Sequence, residues 1–79
     1  MHYVYLIQSQ KDKTFYTGTT EDLIKRLGEH NRGRTRFTST KIPYRLIWYC
    51  GFHEKNKAYA FEKYLKTGSG IAFSRKHLI

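Results

Sequence analysis

Five residues spread along the chain carry side chains that could together attack a phosphodiester: Tyr5, Tyr16, Arg26, His30 and Glu62. A phenol or an imidazole can handle the proton of a water molecule, and a guanidinium can hold phosphate oxygens. A carboxylate can anchor a divalent cation, which stabilises charge on a phosphoryl oxygen. These residue types therefore suit chemistry on a phosphodiester, provided that the fold brings them together.

The net charge of the chain also suits a polyanionic ligand. Fifteen lysines and arginines against six acidic residues give a formal net charge of +9 in 79 residues. The stretch from Asn31 to His53 contains five lysines and arginines and no acid, and the basic C-terminal part includes Lys66. We expect both regions to contact nucleic-acid phosphates. The five residues of the first region are Arg32, Arg34, Arg36, Lys41 and Arg45.

Length and composition exclude several other classes of protein. A chain of 79 residues predicts one small domain, residues 1–79. Cys50 is the single cysteine, which excludes an internal disulfide and a cysteine-based zinc site. No apolar run approaches the roughly 20 residues of a membrane span, and the N-terminus lacks the apolar stretch of a signal peptide. We therefore expect a cytoplasmic protein that does not bind a membrane.

Two N-terminal segments predict a β-hairpin. Residues 2–9 are rich in β-branched and aromatic side chains, and residues 14–18 follow after a polar break. Because side chains alternate along a strand, Tyr5 shares a face with Tyr3 and Ile7. Whether Tyr16 lies on the same side as Tyr5 depends on the register of the hairpin, which the sequence leaves open.

A helix is expected to follow the hairpin. Thr19 or Thr20 can cap its N-terminus, and it should run to about Asn31. At about 100° per residue, Arg26 and His30 lie one turn apart at the border between the buried stripe and solvent. The stripe itself consists of Leu23, Ile24 and Leu27.

The second half of the chain predicts a third strand and further helices. A basic connection, residues 32–43, ends at Pro43 and precedes a strand at 44–51 that is bulky enough to be the central one. A helix should run from Asn56 to about Thr67, with Glu62 beside its buried stripe. Gly68-Ser69-Gly70 should end that helix and precede a short helix at 71–78. The buried stripe consists of Ala58, Phe61 and Leu65.

These elements predict an α/β protein of the α+β type. Its three-stranded, mainly antiparallel sheet should be flanked by helices, in the order β-β-α-β-α with a further terminal helix. The predicted site residues would then come from two strands and two helices.

The motifs and their order resemble the GIY-YIG nuclease family, especially its small, stand-alone bacterial members, over nearly the whole chain. The matching segments are Tyr3-Val4-Tyr5-Leu6-Ile7, Tyr16-Thr17-Gly18-Thr19-Thr20, Arg26 with His30, Pro43, and Ala58 with Glu62-Lys63. Tyr3-Val4 stand where the family has Gly-Ile, and Thr17 replaces an Ile. The family's asparagine after the metal-binding helix has no clear equivalent in this sequence.

The resemblance implies a metal-dependent endonuclease that hydrolyses DNA, with a branch, flap or nick as its target in repair or recombination. Glu62 would hold one Mg²⁺ or Mn²⁺, and Arg26 would bind the scissile phosphate. Tyr5, assisted by His30, would position or deprotonate the attacking water, while Tyr16 would fix the phosphate and the water network. The sequence leaves open whether Tyr5 or His30 accepts the proton.

Each of these residues also has a structural interpretation. Tyr5 and Tyr16 could be core aromatics, and Glu62 could simply pair with Lys66 four residues later. An alternative function is therefore a nucleic-acid-binding module that kept the fold with weak or no catalysis. In either case we expect a monomer or a weak homodimer.

Overall fold

A computed structural model describes residues 1–36 and 38–79 of the protein. Phe37, inside the predicted connection 32–43, lies outside the described residues. None of the helices in the described part is long and apolar enough to cross a membrane. The elements are β1 (His2–Ser9), β2 (Phe15–Thr20), α1 (Leu23–Asn31), β3 (Tyr44–Phe52), α2 (Lys55–Leu65) and α3 (Gly68–His77).

The sheet confirms the predicted fold class but not the predicted central strand. It is antiparallel throughout, with the strand order β2-β1-β3. The expectation that the third strand is central is therefore wrong, because β3 lies at an edge and exposes Arg45 and Tyr49. The central strand is β1, whose Val4, Leu6 and Ile7 are at most 4% exposed. Burial on both faces, more than bulk, distinguishes the central strand.

The alternating side chains of β1 divide the core into two parts. Val4 packs with Ala58 and Leu65, so α2 covers one face of the sheet, and Phe73 of α3 packs there too. Tyr5 and Ile7 pack on the opposite face, where Leu23 and Leu27 of α1 cover them. The period of two along β1 therefore places Tyr5 under α1.

Helix α1 starts later than expected. Thr19 and Thr20 are paired with Val4 and Tyr3 in the sheet, so neither can cap the helix. Asp22 is the cap, and its carboxylate accepts a hydrogen bond from the Lys25 amide at 3.1 Å. Ile24 is 86% exposed, so its predicted place in the buried stripe is also wrong.

The C-terminal helices depart from the prediction at their boundary. Helix α2 ends at Leu65, and the predicted breaker Gly68-Ser69-Gly70 is the first turn of α3. The Thr67 side chain caps α3 by accepting a hydrogen bond from the Gly70 amide at 3.1 Å. Gly70 also lies directly against the last turn of α2, where an added Cβ would meet the Tyr64 carbonyl oxygen and would lie 2.6 Å from the Leu65 Cα. Glycine at position 70 therefore allows the backbones of α2 and α3 to approach each other closely.

The end of α1 is fixed to the start of β3 by one side chain. The Asn31 amide nitrogen donates to the Tyr44 carbonyl at 3.1 Å, and its oxygen accepts from the Tyr44 amide at 2.6 Å. Each bond stabilises the fold by about 1 kcal/mol. The pair closes the connection 32–43 and sets the position of the neighbouring His30.

The two glycines at the start of α3 should respond differently to an added methyl group. Gly70→Ala forces the Cβ into the backbone of α2 and should lower the free energy of unfolding by about 1–3 kcal/mol. Gly68→Ala is the matched control, because nothing lies within 4 Å of a Cβ there. It should change stability by less than about 1 kcal/mol. Urea denaturation of both variants checks this, and equal losses would contradict the close packing of α3 on α2.

Candidate active site

The register of the hairpin brings the two motif tyrosines to the same face of the sheet. Tyr5 lies opposite Gly18, and Ile7 lies opposite Tyr16. Since Tyr5 and Ile7 share a face of β1, Tyr16 shares it as well. The centroids of the Tyr5 and Tyr16 rings are 6.5 Å apart. The register thus resolves the question that the sequence left open.

Gly18 provides the space for the Tyr5 ring. A Cβ at position 18 would contact the Tyr5 hydroxyl and would lie 2.6 Å from the ring carbon that carries it. Any other residue would push the tyrosine out of its place. The glycine of the Tyr16-Thr17-Gly18 motif therefore has a packing role in the site.

Helix α1 places His30 among the tyrosines. The side chain of His30 is fully buried, and its ring centroid lies 5.7 Å from that of Tyr5 and 5.2 Å from that of Tyr16. The Tyr5 hydroxyl oxygen and His30 Nε2 are joined by a buried hydrogen bond of 2.7 Å. The phenol and the imidazole are therefore one hydrogen-bonded unit, not two separate side chains.

The imidazole of His30 has a second hydrogen-bond partner on its other side. His30 Nδ1 lies 2.7 Å from the hydroxyl oxygen of Thr38, which itself donates to the Thr35 carbonyl at 3.5 Å. In one of the two neutral tautomers of His30, Nδ1–H donates to the Thr38 oxygen. Nε2 then carries the lone pair and accepts the Tyr5 proton.

Burial sets the protonation states of this pair. It raises the pKa of Tyr5 to about 12, and the Arg26 guanidinium beside the hydroxyl offsets this only in part. Burial also lowers the pKa of His30, and the charge of Arg26 adds to that effect. At neutral pH Tyr5 is therefore a neutral phenol and His30 a neutral imidazole. The positive charge of Arg26 lowers the pKa of Tyr5 by less than burial raises it.

Arg26 lies at the solvent side of the tyrosine and histidine pair. Its Nη1 is 3.2 Å from the Glu29 carboxylate, and its side chain is 37% exposed. A guanidinium has five N–H donors, so this ion pair leaves donors available for a ligand. Arg26 lines a cavity of about 400 Å³ that also includes Thr19, Thr20 and Lys25.

Glu62 reaches the site from α2. Its negative charge is the smallest of the effects on the pKa of Tyr5, so the carboxylate lies within electrostatic range of the hydroxyl. Its carboxylate is 3.2 Å from the Lys66 ammonium, and that ammonium lies 6.0 Å from the Tyr16 ring centroid. The structure therefore contains the predicted ion pair between Glu62 and Lys66, and this pair lies close to Tyr16.

The donors around Glu62 fit a metal ion held by one protein ligand. No group of three or more His, Cys, Asp or Glu side chains comes together within residues 1–36 and 38–79. Mg²⁺ keeps several water ligands and commonly uses one or two carboxylates plus substrate phosphates. The exposed Lys66 is displaced at small cost, since such pairs contribute only about 0–1 kcal/mol.

Of the predicted nucleic-acid-binding residues, some are engaged in contacts within the protein and others are exposed. Arg32 caps the C-terminus of α1, and Lys41 pairs with Asp12 of the hairpin turn at 3.2 Å. Lys66 pairs with Glu62 at the site itself. Three arginines are exposed on the connection and on β3, namely Arg34, Arg36 and Arg45.

The comparison with known families agrees with this arrangement. The family model described as the GIY-YIG catalytic domain matches residues 1–71. The chain belongs to the GIY-YIG family.

Individual relatives carry the name UPF0213 protein. One from Lactococcus lactis subsp. cremoris is 39% identical over 66 residues, 82% of this chain and 66% of the relative. One from Clostridium perfringens is 37% identical over 67 residues, 84% of this chain and 71% of the relative. The chain spans roughly two thirds of the length of these curated relatives. A solution NMR structure of a UPF0213 protein from Bacillus halodurans matches with a TM-score of 0.59 and 30% identity, over 95% of this chain and 80% of that one.

Two residues of this GIY-YIG site could not be found by sequence reasoning. Thr38 is hydrogen-bonded to His30 Nδ1 but lies in a connection whose only sequence signal is its basic charge. Asn31, at the end of α1, fixes the position of His30 relative to β3. Thr38 lies in a stretch without hydrophobic periodicity, so no pattern singles it out. For Asn31, an amide side chain at the end of a helix is a weak signal.

Two buried threonines of the connection allow a matched test of the Thr38 contact. Thr38→Val keeps the shape but leaves His30 Nδ1–H without its acceptor, so it should lower the free energy of unfolding by about 1–3 kcal/mol. Thr35→Val should have little effect or a stabilising one, because the Thr35 hydroxyl oxygen is buried and has no hydrogen-bond partner among the described residues. Urea denaturation at pH 7 measures both. Equal stability of the two variants would contradict the Thr38–His30 bond.

Proposed function

We propose that this protein is a metal-dependent endonuclease that hydrolyses DNA phosphodiester bonds. The observation that carries the proposal is the buried 2.7 Å hydrogen bond between Tyr5 and His30, with Arg26 and Glu62 beside it. Membership of the GIY-YIG family supports nuclease chemistry at this cluster. The net charge of +9 supports a polyanionic substrate.

The proton of the attacking water would pass through Tyr5 to His30. Tyr5 is protonated at neutral pH because burial raises its pKa to about 12, so the phenol is a poor base by itself. Its hydroxyl oxygen can accept a proton from water as its own proton moves to the lone pair on His30 Nε2. The water oxygen then forms the new bond to phosphorus, and the bond from phosphorus to the leaving oxygen breaks. His30 is the proton acceptor in this scheme.

Arg26 and Tyr16 would hold the phosphate. The free N–H groups of Arg26 can bind the nonbridging oxygens and offset the charge that develops on them. Tyr16 is half-buried next to Tyr5 and His30, so its hydroxyl can fix the phosphate and the nearby water. Glu29 keeps the guanidinium at the solvent side of Tyr5 through their ion pair.

Glu62 would hold one Mg²⁺ or Mn²⁺. When bound, such an ion stabilises negative charge on the leaving oxygen. The protein contributes a single carboxylate and a nearby lysine, Lys66, that neutralises this carboxylate when no cation is bound.

The exposed basic residues would bind the flanking DNA. Arg32, Arg34, Arg36 and Arg45 are exposed, and Lys41 and Lys66 are held in ion pairs that a phosphate can replace. A small site of this kind suits a branch, flap or nick, where a phosphodiester is accessible away from a regular duplex. A role in DNA repair or recombination follows from such substrates.

A cleavage assay with two matched glutamate variants tests the proposal. Branched, flapped, nicked and linear DNAs are incubated with the protein and Mg²⁺ or Mn²⁺, and with a chelator. Glu62→Gln should lower the single-turnover cleavage rate by about 10²-fold or more, since it removes the metal ligand. Glu54→Gln is the control, because Glu54 is an exposed residue paired with Lys57 at the start of the same helix. It should cleave like the wild type.

The same assay separates catalysis from binding alone. Wild-type protein that binds these DNAs without cleaving any of them would favour the non-catalytic binding module. Full activity of Glu62→Gln, with an unchanged need for metal, would contradict the assignment of the metal ligand. Equal losses in both variants would show that the change in net charge, not the ligand, is responsible.

A further inference from the structure

A polar groove leads away from Arg26 along the start of α2. Two cavities of about 250 and 400 Å³ share Thr19 and Thr20 of β2 as part of their walls. Arg26 borders the larger cavity, and His2, Lys55 and Tyr59 border the smaller one. We call these six residues the Tyr59 groove.

Helix α2 presents one stripe of side chains along this path. Lys55, Tyr59, Glu62 and Lys66 are spaced by four, three and four residues, so they lie on one face of the helix. Contacts confirm the common face, because Lys55 lies over the Tyr59 ring at 5.4 Å and Lys66 pairs with Glu62. Tyr59 therefore stands about one helical turn from the carboxylate of the site.

Tyr59 and Lys55 together offer what a nucleotide requires. Tyr59 is 47% exposed although it lines a cavity, so a ligand can reach its ring once the exposed Lys55 side chain moves off the ring face. An aromatic ring can stack on any nucleobase, and an adjacent lysine can hold the phosphate of the same strand. Thr19 and Thr20 add hydroxyl groups between this point and Arg26.

The acidic residues around the groove are already engaged with protein groups. Glu21 lies 3.5 Å from His2 Nδ1, and Glu29 pairs with Arg26. Asp22 caps α1 through the Lys25 amide. Glu21 and Asp22 keep their negative charge, so the phosphate of a ligand would be held at Lys55 or at the free donors of Arg26.

We propose that the Tyr59 groove binds the nucleotide next to the scissile phosphate, with its base unpaired and stacked on Tyr59. This inference rests on the proposed nuclease function and specifies its substrate class. A base inside a duplex is stacked on its neighbours and cannot present its face to a side chain. The groove thus selects DNA with an unpaired nucleotide beside the cleaved bond, as at a flap or a branch.

Binding of fluorescent DNA in the presence of a chelator tests the groove without cleavage. The probes are a flap carrying 2-aminopurine as its first unpaired base and a fully paired duplex with the same base. Wild-type protein should quench the fluorescence of the flap and not that of the duplex. Tyr59→Ala should remove the quenching and weaken flap binding about 5-fold to 100-fold, the range expected for one stacked base. Tyr59→Phe keeps the ring and should retain both.

Tyr49→Ala is the matched control for a lost exposed tyrosine. Tyr49 is 52% exposed, lies on β3 outside the groove, and should leave binding and quenching unchanged when replaced. Unchanged quenching in Tyr59→Ala, or equal losses in both variants, would overturn the proposal. Flap binding with quenching but no cleavage on addition of Mg²⁺ or Mn²⁺ would instead contradict the nuclease function and leave the groove standing.

A salt titration tests the phosphate contact in the same complex. Lys55→Ala should lower the slope of log affinity against log salt concentration by about 0.7, the value for one contact to a single strand. Lys57→Ala is the control, because Lys57 is an exposed lysine two residues along the same helix that does not line the groove. An equal change of slope in the two variants would contradict a specific contact at Lys55.

Discussion

The hydrogen bond between Tyr5 and His30 is the interaction on which the rest of this site depends. It joins the central strand to α1 inside the core, where neither partner can turn to water. Leaving either group unpaired would cost about 1–3 kcal/mol, so the elements around it must hold their positions. Gly18 leaves room for the ring, Thr38 occupies the far nitrogen, and Asn31 fixes the helix end that carries His30.

The distribution of charged residues suits the binding of a polyanion. Four of the six acidic residues form an ion pair with a lysine or an arginine, Glu21 lies beside His2, and Asp22 caps a helix. Among the described residues, no ion pair involves the arginines of the connection or of β3. Phosphates can supply that missing negative charge.

Sequence patterns predicted the elements and the fold class because they depend on local periodicity. Residue type and order also singled out the motif tyrosines, Arg26, His30 and Glu62, whose roles stay predictions. The predictions that were wrong depended on how the strands pair in the folded protein. Thr19 and Thr20 resemble helix caps until β2 pairs with β1, and β3 is bulky enough to appear central although β1 is buried on both faces. Thr38 and the direction of the proton relay require the folded contacts themselves.

The protonation state of the His30 ring in the folded protein tests the central claim most directly. Nitrogen-detected NMR of ¹⁵N-histidine distinguishes the two neutral tautomers and the imidazolium. At pH 7 the account predicts a proton on Nδ1 and a free Nε2, with protonation of the ring only below the usual pKa of about 6.5, because burial lowers the pKa. A proton on Nε2, or a charged ring at pH 7, would contradict the role of His30 as the acceptor of the Tyr5 proton.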